Sequence, residues 1–171
     1  MPEKLMIFLF QKFNKHIARF IYFIMWIVLL IAIGSTIGSF TKPEIDTWYS
    51  TLNRSTLTPP NYVFPIAWTI LYGIIGACGW LIWNAKAFTG LNVIKILYIT
   101  QILLNWSWTP LFFRYHLPGV SLVVLSTMDI LVSMIIWLTY SNIRVVALLT
   151  IPYLLWILFA SYLNFYIFWC N

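Results

Sequence analysis

The sequence predicts an all-α integral membrane protein, a bundle of five transmembrane helices in one domain spanning residues 1–171. Three observations predict it. The chain is 62% hydrophobic and only 8% charged, against roughly 25% charged residues in a soluble domain. Five stretches, 17–38, 62–84, 91–112, 119–140 and 145–169, each offer the run of about 20 mainly apolar residues that a bilayer span requires. Period-two alternation is absent and the runs exceed the length of about 10 residues of barrel strands, which excludes a β-barrel.

Ahead of the first span, Leu5, Phe8, Leu9, Phe13, Ile17 and Phe20 recur at helical spacing among Lys4, Lys12, Lys15 and Arg19. This reads as a basic amphipathic lead-in lying in the headgroup region. The first span is too long for a signal peptide. It ends in Gly34-x-x-x-Gly38, a surface smooth enough for close packing against another helix of the same chain.

The segment 39–61 reads as the one long loop, with Pro43, Trp48, Tyr49, Pro59 and Pro60, and long loops in compact proteins tend to be lids or binding elements. Pro59-Pro60 suits the start of a helix, where a missing N–H costs nothing. In the second span, Phe64, Trp68 and Tyr72 follow at intervals of four and form one aromatic stripe. The third carries Gln101, Asn105, Trp108 and Phe112 on a single face. The fifth repeats the pattern with Tyr153, Trp156, Ala160 and Asn164.

Amides on a membrane helix turn inward, because hydrocarbon offers no hydrogen-bond partner. Three aromatic and polar stripes turned toward one another would form a pocket for a planar, mostly apolar ligand. The same amides could instead bond one another as interhelical glue. Of the 10 tryptophans, Trp26, Trp48, Trp80, Trp83, Trp137 and Trp169 lie near span ends or off the stripes and suit interfacial belts or packing. Trp68, Trp108 and Trp156 are the interior candidates, and Trp106 fits either group.

Asp129, in the fourth span, is the one acidic residue near mid-membrane, where a carboxylate is costly and a functional candidate by default. It is either protonated or hydrogen-bonded to hydroxyls such as those of Ser126 or Ser133. Cys78, Cys170, His16 and His116 have no metal-site spacing, so no metal is expected. The net charge of +6 follows topology rather than nucleic-acid binding. Seven basic residues (Lys4, Lys12, Lys15, Arg19, Lys86, Lys95, Arg144) flank one side and three (Lys42, Arg54, Arg114) the other, which predicts a cytoplasmic N-terminus and an outside C-terminus.

Read together, the stripes resemble the tryptophan-rich sensory protein/translocator protein family, also called the peripheral-type benzodiazepine receptor family. Three blocks carry the resemblance. The first is Trp48-Tyr49-x-x-Leu52 with Pro59-Pro60-x-x-Val63-Phe64, Trp68-x-x-Leu71-Tyr72 and Gly76. The second is Gln101-x-x-Leu104-Asn105-x-x-Trp108-x-Pro110-x-Phe112-Phe113. The third is Pro152-Tyr153-Leu154-x-Trp156-x-x-Phe159-Ala160-x-x-Leu163-Asn164 with a terminal Asn171.

The resemblance implies a five-helix bundle, often homodimeric, with a pocket closed by the loop 39–61. It implies binding of porphyrins, especially protoporphyrin IX, and of isoquinoline or benzodiazepine ligands, with Trp68, Asn105, Phe113, Trp156 and Ala160 around the pocket. With the loop residues Trp48, Pro59 and Pro60 added, the candidate ligand-binding set comprises these together with Phe64, Tyr72, Gln101, Trp108, Phe112, Tyr153 and Asn164. Porphyrin enters as ligand or substrate and no cofactor is required; lipids are the other expected partner. Light-dependent porphyrin breakdown through Trp68 and Trp156 is the enzymatic alternative, and tetrapyrrole transport a third reading.

Two departures stand out. No basic residue follows Tyr166, so the sterol motif of animal members lacks support. Where the family commonly carries a carboxylate near the start of the fourth span, this chain has Val123-Val124, with Asp129 about a turn later.

Overall fold

A computed structural model describes residues 2–171, with side chains from Lys15 onward, so Leu5, Phe8, Leu9 and Phe13 of the lead-in lie outside the described side chains. The described residues are all-helical, but they form six α-helices rather than five. They are α1 (Pro2–Asp46), α2 (Trp48–Thr51), α3 (Val63–Trp83), α4 (Leu91–Thr109), α5 (Pro118–Thr139) and α6 (Arg144–Cys170), with a π-helical turn at Pro110–Arg114.

The sixth helix comes from the segment read as a loop. α1 continues past Gly38 to Asp46, and α2 adds one further turn, so irregular chain is confined to residues 52–62. Thr41 and Thr47 return their hydroxyls to the carbonyls of Gly38 and Pro43, so both side chains are bonded to the backbone of the same helix end.

Four helices among the described residues are long and apolar enough to cross a membrane: α1 from Lys15, α3, α5 and α6. The expected five spans are thus not reproduced. α4 falls short because Asn92, Lys95, Gln101 and Asn105 dilute its apolar content. It also stops at Thr109, three residues before the expected end, because Pro110 has no N–H to continue the ladder and the backbone widens into the π turn.

α3 lies between α1 and α6, α5 packs on α6 and α4, and α4 reaches back to α3 and α1. Close approach of α1 to α3 depends on missing side chains. A methyl group on Gly76 would stand 2.8 Å from the Ile27 Cα, and one on Gly34 would run into the Tyr72 ring. Gly38 faces open space, so of the GxxxG pair only Gly34 is a packing residue, within the chain. Gly76→Ala is expected to destabilise by about 1–3 kcal/mol, since backbone must shift to admit the methyl. Apparent melting temperature in detergent checks this against Gly38→Ala, which should be neutral; equal melting of the two variants would contradict it.

Candidate ligand-binding site

The three inward stripes do converge, and their polar members are already joined. The Tyr72 hydroxyl donates to Asn105 Oδ1 at 2.6 Å, Asn105 Nδ2 donates to the Tyr153 hydroxyl at 3.1 Å, and Tyr153 donates to Gln101 Oε1 at 2.8 Å. α3, α4 and α6 are thereby stitched by one continuous chain of bonds, and all four side chains are buried. One helical turn away, Trp108 Nε1 donates to Asn164 Oδ1 at 3.1 Å, while Asn164 Nδ2 donates to the Pro118 carbonyl at 2.7 Å. The amides therefore act as interhelical connectors that fix the orientation of the rings.

Around this network the aromatic rings touch. Trp68 lies 5.7 Å from Tyr72 and 6.5 Å from Trp108, centroid to centroid; Trp108 stacks on Phe112 at 5.5 Å and meets Phe113 edge-on at 6.1 Å. A second row runs from Phe64 to Trp156 at 6.1 Å and on to Phe159 at 6.0 Å. Among the described residues Trp68 and Trp156 make no ring contact with each other, so they belong to two adjoining rows. Such edge-on and offset pairs are the favoured geometries for aromatic rings.

The indole N–H of Trp156 is enclosed and has no hydrogen-bond partner, and the same is true of Trp106. Orphaned buried donors are uncommon and call for an explanation. Both indoles pack on the main core, but Trp156 also stands in a ring row of the candidate site. Ala160 is buried one turn beyond Trp156. The enclosed space on the other side of the Tyr153–Gln101 bond, bounded by Cys78, Tyr98 and Thr150, is only about 10 Å³, which holds about one water.

Trp48 packs edge-on to Phe112 at 5.4 Å and lies flat on His116 at 4.1 Å. Phe64 is half-buried, Pro59 is half-buried and Pro60 is exposed; the Pro60 carbonyl accepts the Val63 N–H at 2.9 Å, so the pair sets where α3 begins. Asp129 Oδ2 accepts the Ser161 hydroxyl of α6 at 2.7 Å. That corrects the expected partners, since Ser133 donates instead to the Asp129 carbonyl and Ser126 is exposed. Asp129, Ile130, Ser133, Met134 and Trp137 line an open groove on α5 of about 460 Å³, apart from the aromatic rows.

Spacing alone missed several residues. Tyr49 is buried against Phe112 and Phe113, and burial pushes its phenol above the usual tyrosine range while Arg54 pulls it back. Glu44 pairs with Arg114 at 3.2 Å and with His116 at 3.3 Å. Asn53 and Asn171 bond each other across 118 positions. Tyr49 and Asn171 stood in the motif blocks, but neither lies on a stripe. The tryptophans set aside as belt or packing include Trp80, which pairs with Phe23, Trp26 and Trp83, which form a trio with Tyr98, and Trp137 and Trp169, both 76% exposed.

The TspO/MBR family model matches residues 26–170. The chain is 39% identical over 145 residues to a tryptophan-rich protein TspO of Archaeoglobus fulgidus, covering 85% of this chain and 94% of that one. It is 32% identical over 143 residues to a tryptophan-rich sensory protein of Cereibacter sphaeroides, covering 82% and 87%. It is 32% identical over 144 residues to the translocator protein of Homo sapiens, covering 82% and 85%.

Proposed function

We propose that this chain, which belongs to the TspO/MBR family, is a membrane receptor or sensor for porphyrins such as protoporphyrin IX. Isoquinoline and benzodiazepine compounds are further ligands of the same aromatic site. The chain is an integral membrane protein, with helices of spanning length and apolar character. The observation that carries the reading is the unpartnered, enclosed indole N–H of Trp156 beside the Phe64 ring. A planar ligand with a carboxylate or carbonyl would satisfy that donor and gain affinity from buried ring area, at about 25 cal/mol per Å².

In this reading the amides of Asn105 and Asn164 hold the Tyr72, Tyr153 and Trp108 rings in place and the rings make the contact. Trp48, Pro59 and Pro60 belong to the cover over the site, and Phe112 and Phe113 to its wall. The chain works as a homodimer, with its N-terminus cytoplasmic and its C-terminus outside.

A second reading is light-dependent porphyrin breakdown, with Trp68 and Trp156 as electron donors to the excited ring. The 5.7 Å and 6.5 Å ring contacts from Trp68 to Tyr72 and Trp108 favour it, since touching rings offer a route for charge. One titration addresses both readings. Protoporphyrin IX added in darkness to the chain in nanodiscs should quench tryptophan fluorescence saturably, with displacement by an isoquinoline carboxamide; quenching that grows without saturation would sink receptor and enzyme together. Under illumination, equal bleaching by wild type, Trp68→Phe and Trp156→Phe would leave the receptor reading alone.

A further inference from the structure

We propose that the open groove on α5 is a binding site for lipid-soluble amines, separate from the aromatic rows, and that Asp129 passes its proton to the amine as the two meet. The site draws on α5 and α6 alone and stands whether or not the aromatic rows bind porphyrin.

Asp129 lies midway along α5, a helix of 22 residues that is apolar enough to cross a membrane. A carboxyl at that depth is either neutral or paired, because hydrocarbon neither screens a charge nor bonds to one. Among the described residues it has no ion-pair partner, and both salt bridges belong to Glu44 at the end of α1. Its hydrogen bonding is as sparse. Oδ2 accepts the Ser161 hydroxyl at 2.7 Å, while Oδ1 is enclosed and meets no donor. An ionised carboxylate takes several donors, so this single bond fits the neutral acid, with Oδ1 as its carbonyl and the proton on Oδ2.

The surroundings decide what can meet this acid. Asp129, Ser133 and Trp137 follow at steps of four along α5, with Ile130 and Met134 beside them, and together they line the groove of about 460 Å³. That volume is in the range of small-ligand sites, which are mostly apolar with a few placed polar groups. Ile130, Met134 and Trp137 are exposed, whereas Met128 and Val132 on the opposite side of the helix are buried. The groove therefore faces lipid. Ser133 spends its hydroxyl proton on the Asp129 carbonyl, which leaves the carboxyl as the acidic group of the groove.

Charge sorts the possible occupants. An inorganic cation wants more oxygens than one carboxyl supplies, and it reaches this depth only at great cost, as does a quaternary ammonium with its permanent charge. An alcohol enters freely but gains only a neutral hydrogen bond. A primary, secondary or tertiary amine enters hydrocarbon uncharged and can take a proton there. The Asp129 O–H bond then breaks with its electron pair left on Oδ2, and an N–H bond forms on the amine. Ammonium and carboxylate stay joined by a charge-assisted hydrogen bond, roughly twice as strong as a neutral one. The Ser161 hydroxyl, already donated to Oδ2, stabilises the charge that develops. The apolar body of the amine lies along Ile130, Met134 and Trp137. A second copy of the chain supplies no such base, because its Lys and Arg residues stand toward the ends of its helices or outside them.

The test uses the full chain in nanodiscs and a pyrenyl carbodiimide, a lipid-soluble reagent that couples to neutral carboxyls, with the label located by peptide mass. Asp129 should be labelled in wild type. N,N-dimethyldodecylamine should slow that labelling, with half effect at about a tenth of the membrane content that dodecanol needs. Dodecyltrimethylammonium should do no better than dodecanol. Trp137→Ala should be labelled at the wild-type rate but protected several-fold less by the amine. No label on Asp129 in wild type would overturn the lipid-open acid. Protection by the amine no better than by dodecanol would overturn the ligand class, and equal protection by the quaternary ammonium would overturn the proton transfer. Undiminished protection in Trp137→Ala would overturn the groove as the bed for the apolar body. Labelling present in nanodiscs that hold one copy and lost in those that hold two would mean that a second copy covers this face, which would overturn the amine site.

Discussion

Asn105→Leu should lose about 3 kcal/mol of stability, seen as a fall of several degrees in apparent melting temperature in detergent. Leucine matches asparagine in size, so packing survives and the loss is almost wholly polar. Both of its buried connections disappear at once: Tyr72 loses the acceptor at 2.6 Å and Tyr153 loses the donor at 3.1 Å. Hydrocarbon outside the bundle supplies no replacement. Single hydrogen bonds between membrane helices are worth only about 0.6 kcal/mol on average, so the size of the effect depends on the orphaned Tyr72 hydroxyl as much as on the bonds themselves. Tyr72→Phe, which removes a donor and leaves Asn105 its bond to Tyr153, should cost about a third as much. If the two variants melt together, the four-residue chain is not the connector described.

Trp156→Ala should weaken porphyrin binding about tenfold. Losing about 60 Å² of contacting ring face at about 25 cal/mol per Å² removes about 1.5 kcal/mol, close to the 1.4 kcal/mol that makes a factor of ten. Loss of the one unspent indole donor in these rows adds to this. Stability should change less than affinity, because Trp156 is only half-buried and its ring neighbours Phe64 and Phe159 are half-buried as well.

The helical class, the inward stripes and the family were legible in the sequence because each rests on local periodicity. Phe64, Trp68 and Tyr72 stand four apart, and four residues per step is nearly one helical turn. Gln101 and Asn105 had to turn inward for want of any partner in hydrocarbon, and both are buried. That they would bond Tyr72 and Tyr153 rather than a ligand was not legible, since spacing along one helix fixes its face and not the height of its neighbour. The reach of α1 to Asp46 was missed because Pro43 reads as a loop residue, whereas here it is carried within the last turn. Asn53 with Asn171, Ser55 with Tyr162, and Glu44 with Arg114 and His116 are pairs brought together by chain reversal, and no period connects them.

The most direct measurement is the dissociation constant of protoporphyrin IX in darkness for wild type, Trp156→Ala and Trp169→Ala, titrated side by side in nanodiscs. Trp169 is 76% exposed near the end of α6 and serves as a tryptophan outside the site. A binding site at the Phe64–Trp156 row requires saturable binding to wild type, about tenfold weaker binding to Trp156→Ala and nearly unchanged binding to Trp169→Ala. Equal constants for all three would place the ligand elsewhere and contradict the assignment.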